Sequence, residues 1–488
     1  MSTSTTHDIV QKLWALCHVL RDDGITYQDY VTELTWLLFL KMAAETGREE
    51  HLPEGYRWSD LESQDGVEQL TFYRQLLLHL GTATEGQVQA IFADASTSLR
   101  QPRNLKKLVD EIEKLDWYDA REEGLGDMYE GLLERNAAEK KSGAGQYFTP
   151  RVLIDSMVAL MQPQAGELVQ DPACGMGGFL IAADAYIKAR TSGLFSLDEA
   201  DQRFQRREAF CGVELVPSAH RLCLMNTLLH NIEDGILLGD SLSPLGADLP
   251  AADLILTNPP FGTKKGGGRP TRDDFTFPTS NKQLAFLQHI YRGLQPGGRA
   301  AVVLPDNVLF EEGAGKEIRA DLMDKCNLHT ILRLPTGIFY AQGVKTNVLF
   351  FQRGPRKKDK GNTETVWVYD LRTNMPSFGK RNPLTREHFA EFEAAYGADA
   401  NGAGPRQDQG DEGRFRPFSR EWIAARGDNL DITWLQDENI ERGEDLPEPE
   451  VIAAEILEHL RVAMTEMEAL QAVLADVDSA SSSSEAVG

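Results

Sequence analysis

The pattern of apolar and polar positions divides the chain into a helical first part and an alternating second part. Apolar residues between Val10 and Leu20, and again between Tyr27 and Met42, recur three or four positions apart, as they do on one face of a helix. A similar pattern runs from Asp110 to Asn136. We therefore expect a helical N-terminal domain over residues 1–140.

From residue 141 to residue 390, short apolar runs alternate with helical stretches. Continuous apolar runs are typical of parallel strands that are buried on both faces. The alternation predicts an α/β fold, a doubly wound, Rossmann-like domain that binds ligands at the carboxyl ends of its strands. Six runs predict strands: 168–171, 209–214, 236–240, 254–258, 300–304 and 347–351.

The C-terminal part has a different composition. Residues 391–420 are rich in Gly, Asp, Gln and Arg, which predicts a flexible linker. In the following segment, 421–478, an apolar seam from Ile456 to Leu474 alternates spacings of four and three. This seam suits either a partner helix or packing on the N-terminal helices, and we interpret the segment as helical and suited to subunit assembly. The serine-rich tail, 479–488, predicts disorder.

Composition narrows the class of protein. The 488 residues, of which 41 % are hydrophobic, suffice for two or three domains with a sizeable core. No signal-peptide pattern and no apolar stretch near the ~18 residues of a membrane helix are found. The five cysteines form no CxxC pair, so we expect reduced, buried thiols and a cytoplasmic protein.

The net charge of −25 argues against a protein that grips DNA alone. Duplex affinity comes largely from lysine and arginine side chains that neutralise phosphates. Either the substrate is not DNA, or another subunit supplies most of the contact with it.

A glycine-rich turn follows the first predicted strand. In the sequence DPACGMGG (Asp171–Gly178), glycines let the backbone approach a ligand closely. Glu214 ends the next strand and can accept hydrogen bonds from ribose hydroxyls, and Asp240 closes a third strand where a carboxylate could meet an adenine amino group. S-adenosylmethionine, a nucleoside with a positive centre and no pyrophosphate, fits this turn best; a dinucleotide and a purely structural turn remain open.

The sequence Asn258-Pro259-Pro260-Phe261 follows the fourth predicted strand and predicts a catalytic turn. The amino nitrogen of adenine is a weak nucleophile because its lone pair is conjugated with the ring. The Asn258 side-chain oxygen and the Pro259 carbonyl would hold its hydrogens out of the ring plane, and the prolines keep the turn rigid. Phe261 offers a face on which an extruded base stacks. Methyl transfer then depends on alignment and oriented dipoles, and it requires no metal.

The order of these motifs resembles that of the gamma-class amino-methyltransferases. Longer stretches are similar to the modification subunits of type I restriction systems, in particular the EcoKI-like branch, and the similarity spans nearly the whole chain. These stretches are GDMYEGLL (Gly126–Leu133), KSGAGQYFTPR (Lys141–Arg151), FPTSNKQLAFLQH (Phe277–His289), GGRAAVVLPDNVLF (Gly297–Phe310), LPTGIFYAQGVKTNVLFF (Leu334–Phe351) and VWVYDLRTNMPSFGKR (Val366–Arg381).

The resemblance implies an S-adenosylmethionine-dependent DNA methyltransferase that modifies adenine at N6. It implies a mostly parallel seven-stranded sheet behind a helical N-terminal domain, with catalysis carried by residues 258–261. Residues of the cofactor pocket would be, by resemblance, Gln146, Tyr147, Phe148, Thr149, Pro150, Arg151, Met176, Gly177, Gly178 and Glu214, joined by Asp171, Gly175 and Asp240 from the patterns above.

Subunits of this family pair two-to-one with a specificity subunit, which reads a bipartite sequence in double-stranded DNA, and they join a restriction subunit that cleaves unmodified DNA. An acidic catalytic subunit is consistent with a partner that grips the duplex. The loop after the catalytic turn contains Lys264, Lys265 and Arg269, and it either contacts phosphate near the flipped base or is simply solvated. The implied protein is bacterial and cytoplasmic.

Two other functions remain open from the sequence. The catalytic motif also serves methylation of glutamine in proteins, so a protein or RNA methyltransferase is one alternative. A silent scaffold is the other, and the intact Asn258, Glu214 and residues 146–151 speak against it.

Overall fold

A computed structural model of the chain describes residues 12, 27–82, 86–115, 117, 149–261, 270–339, 344–355, 358, 360–376, 378–379, 382–436, 457, 460–461 and 464. Its helices and strands are, in chain order, α1 Tyr27–Glu45, α2 Trp58–Glu62, α3 Gly66–Thr82, α4 Gly86–Phe92, α5 Pro102–Glu113, α6 Arg151–Met161, β1 Val169–Asp171, α7 Gly178–Arg190, α8 Glu199–Arg207, β2 Phe210–Glu214, α9 Pro217–Leu229, β3 Ile236–Leu238, α10 Pro244–Ala247, β4 Ala252–Thr257, α11 Lys282–Gly293, β5 Leu294–Pro305, α12 Asn307–Phe310, α13 Ala314–Lys325, β6 Cys326–Arg333, β7 Thr346–Arg353, β8 Thr365–Asp370, α14 Ala390–Tyr396, β9 Phe415–Ser419 and α15 Arg420–Ala425.

The chain forms two compact units, neither of which is one continuous stretch. The first consists of Met1–Gly143 and Pro163–Ser241, and the second of Ala144–Gln162 and Leu242–Gly488. The sequence analysis predicted that residues 163–241 and residues 242–390 belong to the same α/β domain. That domain division stays a prediction; in the structure α9 also packs on α4, where the Arg221 guanidinium donates a 2.8 Å hydrogen bond to the Ala93 carbonyl.

The N-terminal helices of the first unit bury a mixed core. Trp36 of α1 stacks on Phe92 of α4, with 4.9 Å between ring centroids. The ammonium of Lys41, whose side chain is only 4 % exposed, pairs with Glu45 at 2.7 Å and with Glu113 at 2.8 Å. A charge buried on α1 is therefore compensated by α5, and the predicted helix over 27–42 is confirmed.

Three parallel strands complete the first unit, in the order β3-β2-β1. Asp171 lies opposite Gly212, and Glu214 lies opposite Leu238, so the carboxyl ends of the three strands share one edge. This arrangement brings the predicted cofactor residues of the first unit to the same edge of the sheet.

The second unit holds six strands in the order β4-β5-β7-β6-β8-β9. β4 pairs with β5 in parallel, with Thr257 opposite Val302. β7 lies antiparallel between β5 and β6. The six strands predicted from the sequence are all found, and the α/β class is confirmed.

Helix α6 is fixed to β5 by one arginine. The Arg299 side chain is 7 % exposed, and its guanidinium donates to the carbonyls of Met161 (2.8 Å) and Gln162 (3.0 Å). These carbonyls belong to the last turn of α6, where no following helical N–H can reach them. The start of α6, at Arg151, is thereby held in a defined place relative to β4 and β5.

The structure differs from two sequence predictions in the second unit. The described residues contain nine strands, whereas the family resemblance implied seven; β8 and β9 continue the order beyond β6. The prediction that 391–420 is a flexible linker was wrong, because the segment holds most of α14 and all of β9. Arg406 anchors it by donating to the Thr330 hydroxyl at 2.9 Å, a long-range contact that composition does not reveal.

Other predicted elements lie outside the described residues. These are the helix over 10–20, the GDMYEGLL stretch and the helix from Ile452 to Leu474, of which only Leu457, Leu460, Arg461 and Met464 are described. In the described part of the chain, no helix is both long and apolar enough to cross a bilayer.

A buried carboxyl in α7 makes stability depend on pH. Asp184 is 3 % exposed and pairs with Lys188 at 2.5 Å, yet burial raises the pKa of its carboxyl from 3.8 to about 6. A raised folded-state pKa contributes stability that is present at low pH and lost as pH rises through that pKa. Relative to an Asp184→Asn variant, the wild-type chain should lose up to about 3 kcal/mol of unfolding free energy between pH 4 and pH 7.

Thermal unfolding of both proteins at pH 4 and pH 7 tests this expectation. The midpoint of the wild type should fall relative to that of the variant as pH rises. Equal changes in the two proteins would show that Asp184 ionises as freely in the folded chain as in the unfolded one.

Candidate active site

The turn after β1 is held by hydrogen bonds within the first unit. The Asp171 carboxylate is 1 % exposed and accepts the Ala173 N–H at 3.0 Å, so it shapes the turn from beneath. The Cys174 N–H donates to the Val213 carbonyl of β2 at 3.0 Å. The turn is therefore hydrogen-bonded to Asp171 at the end of β1 and to Val213 of β2.

Two glycines determine the path of this turn. Gly175 has φ +55° and Gly177 has φ +85°, values that favour glycine over residues with a side chain. A Cβ at Gly177 would lie 3.0 Å from the Cys223 sulfur, whereas one at Gly175 would meet nothing within 4 Å. The backbone is thus crowded on its α9 side at Gly177 and open at Gly175, where a ligand could approach it.

Glu214 joins the end of β2 to the turn. One carboxylate oxygen accepts the Gly175 N–H at 3.0 Å, and the other accepts the Val216 N–H at 2.7 Å. Each oxygen can accept a further hydrogen bond, because a carboxylate has about four lone-pair sites. The side chain is 8 % exposed, and burial raises the pKa of its carboxyl, while the backbone donors act in the opposite direction. Glu214 is consequently a fixed acceptor at the strand edge.

Asp240 lies two residues after β3, on the same edge as Glu214. The neighbouring Ser241 hydroxyl donates a 2.6 Å hydrogen bond to the Pro172 carbonyl. This bond fixes the segment after β3 to the turn after β1. The first unit therefore brings Asp171, Gly175, Glu214 and Asp240 together, as the strand pattern predicted.

Asn258 lies directly after β4 in the second unit, and the nitrogen and oxygen of its side-chain amide have different surroundings. Its amide nitrogen donates a 2.9 Å hydrogen bond to the Thr149 hydroxyl. Its amide oxygen is buried and has no hydrogen-bond partner among the described residues. Buried polar atoms are nearly always paired, so an acceptor left open at a strand end is a candidate for binding a donor on a ligand.

Two prolines and an aromatic ring follow Asn258. Pro259 is buried and Pro260 is exposed. The Phe261 side chain is 6 % exposed and packs edge-on against Phe339, with 5.6 Å between ring centroids. The role of Phe261 as a stacking face for a base stays a prediction.

The predicted cofactor segment 146–151 is described only in its second half. Thr149, Pro150 and Arg151 are described, and Arg151 pairs with Asp155 at 3.1 Å on α6. The rest of this segment and the predicted DNA contacts lie outside the described residues: Gln146, Tyr147, Phe148, Lys264, Lys265 and Arg269.

Two supporting side chains on α9 were not predicted from the sequence. The Asn226 amide donates to the Met176 carbonyl at 3.1 Å, and the Cys223 sulfur lies 3.8 Å from that of Cys174. A hydrogen bond between the thiols, together with burial, raises the pKa of Cys174 well above its usual range. Burial, as expected from the sequence, is found for Cys174, Cys211, Cys223 and Cys326. Asn226 follows a run of apolar residues in α9, and a polar residue at such a place was the signal in the sequence that could have indicated a supporting role.

Comparison with known proteins gives concordant results. Residues 120–442 match the family model for N-6 DNA Methylase, and residues 9–112 match that for the HsdM N-terminal domain. The StySPI methylase subunit of Salmonella potsdam and the EcoKI methylase subunit of Escherichia coli K12, both of type I restriction enzymes, are each 53 % identical to this chain over 512 aligned residues, which cover 97 % of it and 96 % of each relative.

Solved structures agree with these relatives. A crystal structure of the type I restriction enzyme EcoKI M protein is 50 % identical and covers 96 % of both chains, with a TM-score of 0.58. A chain from a structural study of complex assembly in the type I restriction–modification system is 29 % identical and covers 97 % of this chain and 99 % of that one, with a TM-score of 0.71.

Proposed function

Since the chain belongs to the N-6 DNA methylase family, as a methylase subunit of a type I restriction–modification system, we propose that it transfers a methyl group from S-adenosylmethionine to N6 of adenine through Asn258 and the turn that follows it. The observation that carries this assignment is the buried amide oxygen of Asn258, which has no hydrogen-bond partner in the part of the chain that the structure describes. An amide oxygen is an acceptor, and the amino group of adenine is a donor that needs one.

The first unit offers the features that S-adenosylmethionine requires. When bound, this cofactor supplies a methyl group on a positively charged sulfur. Glu214 can accept hydrogen bonds from ribose hydroxyls with the lone pairs that Gly175 and Val216 leave free. The open side of Gly175 leaves room for the nucleoside beside the backbone, and Asp240 on the same edge is an acceptor for the adenine amino group of the cofactor.

The second unit supplies the groups that act on the target base. The Asn258 oxygen would accept one N6 hydrogen, and the Pro259 carbonyl would accept the other. Holding both hydrogens in fixed directions draws the nitrogen lone pair out of conjugation, which makes the nitrogen a better nucleophile. These dipoles are oriented before the reaction, so little reorganisation is needed during it. Phe261 would stack on the extruded base.

We assign DNA recognition mainly to partner subunits. With a net charge of −25, the chain has more carboxylates than lysine and arginine side chains, so little positive charge is available to neutralise DNA phosphates. A specificity subunit, paired with two copies of this chain, would read the target in double-stranded DNA, and a restriction subunit would complete the complex. Contacts with DNA phosphate are assigned to Lys264, Lys265 and Arg269. Residues 421–478 would serve subunit assembly, and the protein would act in the bacterial cytoplasm.

Base-resolved sequencing of host DNA tests the proposed reaction. A strain that expresses this chain together with its specificity subunit should carry N6-methyladenine at one bipartite motif. The same strain without the chain should lack it. If no N6-methyladenine is found in DNA while labelled methyl groups enter protein or RNA, the proposed substrate is wrong.

A further inference from the structure

The hydrogen bond between Thr149 and Asn258 joins two segments that are far apart in sequence. The Thr149 hydroxyl lies 2.9 Å from the Asn258 amide nitrogen, across 109 residues of chain. We propose that Thr149 is a positioning residue, which holds the Asn258 amide in the orientation that presents its oxygen to the target base. This inference rests on the proposed function of Asn258.

The orientation matters because the two ends of an amide have opposite hydrogen-bonding character. The oxygen accepts, whereas the NH2 group only donates. Rotation of the amide by half a turn would place N–H groups against the N–H groups of adenine, and no hydrogen bond to the base would form. The Thr149 hydroxyl can accept from the nitrogen or donate to the oxygen, so it fixes the position of the amide, and the donors of the base select the productive orientation that the structure shows. With nitrogen on Thr149 and oxygen on the base, every polar atom of the Asn258 side chain is paired once the substrate arrives.

Thr149 is itself well fixed. Pro150 follows it, and a residue before proline is restricted to extended conformations. Its branched Cβ limits rotation of the side chain. Pro150 precedes α6, which Arg299 of β5 holds by its last turn, and β5 pairs directly with β4, the strand that leads to Asn258. The hydroxyl therefore meets the amide at a place determined by the second unit alone.

This role differs from the one that the family resemblance implied, which was a contact between Thr149 and the cofactor. The two roles lead to different kinetic changes. A lost cofactor contact weakens S-adenosylmethionine binding, whereas a misoriented Asn258 lowers the rate at saturating cofactor and DNA. The hydroxyl alone should matter, so serine should replace threonine and valine should not.

The test uses the full chain in complex with its specificity subunit, as wild type, Thr149→Val, Thr149→Ser and Asn258→Ala. Transfer of tritiated methyl groups from S-adenosylmethionine to unmodified host DNA gives kcat, and equilibrium dialysis gives the cofactor Kd. Thr149→Val should lower kcat by about 10-fold to 100-fold, because it leaves the amide nitrogen without an acceptor in the productive orientation. Thr149→Ser should stay within about 3-fold of wild type, and the cofactor Kd should be unchanged in both.

Three results would overturn the proposal: an unchanged kcat in Thr149→Val, a raised cofactor Kd with normal kcat at saturation, or a serine variant as slow as the valine variant. Thermal unfolding checks that each variant is folded, and Thr149→Ala replaces the valine variant if that one is not. A wild-type complex that labels no DNA, or an Asn258→Ala variant as active as wild type, would instead refute the proposed function itself.

Discussion

Replacing Asn258 by alanine should lower the rate of methyl transfer by about 1,000-fold or more while S-adenosylmethionine binding changes little. Removing one preorganised hydrogen-bonding group from an active site costs about 100- to 1,000-fold in rate. Here the lost group also activates the nucleophile, so the effect should lie at the upper end of that range. Cofactor binding is assigned to other residues, and its Kd should therefore stay within about threefold of the wild-type value.

Asn258→Asp is the matched control for this variant. It keeps an oxygen that accepts from adenine and loses the nitrogen that donates to Thr149. We expect it to retain clearly more activity than Asn258→Ala. Single-turnover transfer to unmodified DNA, followed with tritiated cofactor, measures the rates. If the alanine variant keeps a tenth or more of the wild-type rate, the amide oxygen is not the group that activates the base.

Glu214→Ala should raise the Kd for S-adenosylmethionine by about 10- to 100-fold. Hydrogen bonds to charged groups contribute about 1.5–3 kcal/mol each, and the variant loses the acceptor proposed for the ribose hydroxyls. It also leaves the N–H groups of Gly175 and Val216 without their present partner, which loosens the turn. Equilibrium dialysis with labelled cofactor measures the affinity.

Two comparisons separate these effects. Glu233→Gln, which alters an exposed ion pair with Arg207 elsewhere in the same unit, should leave the Kd unchanged.

In the wild type, protonation removes acceptor sites from Glu214, so affinity should be present above the pKa of this carboxyl and lost as pH falls through it. Burial raises that pKa above the ordinary 4.5, so the loss should begin at a higher pH than for a free glutamate. Glu214→Gln should bind with no such dependence on pH, and a parallel decline in both proteins would refute the assignment.

The six strands that were predicted from the sequence have continuous apolar runs, and three others were missed. One of these is β8, although Val366–Tyr369 form such a run. The sequence analysis missed β6, which follows α13 without a turn residue and contains Arg333. The charge of this arginine is compensated by Asp370 of β8, at 3.0 Å, and such a long-range pair has no local signal. It also missed β9, where Arg416 and Pro417 suggest a loop. β9 tolerates proline because it lies at the end of the strand order and pairs with β8 alone.

For the candidate site, the sequence identified candidate residues but not which of them contact one another. The strand pattern brought Glu214 and Asp240 to one edge, because parallel strands place their carboxyl ends together. It assigned Asp171 to the cofactor pocket, which stays a prediction; in the structure the carboxylate is buried and accepts a hydrogen bond from the N–H of Ala173. The contact between Thr149 and Asn258 depends on the path of the intervening chain, which motif spacing does not encode.

The division of the chain between its two units bears on the design of recombinant fragments. Residues 144–162 belong with the second unit, although residues 163–241 separate them from the rest of it. A fragment that begins at Leu242 would lose α6, and the Arg299 guanidinium would lose its two carbonyl acceptors. A recombinant version of the second unit would therefore need residues 144–162 in addition to the segment that begins at Leu242.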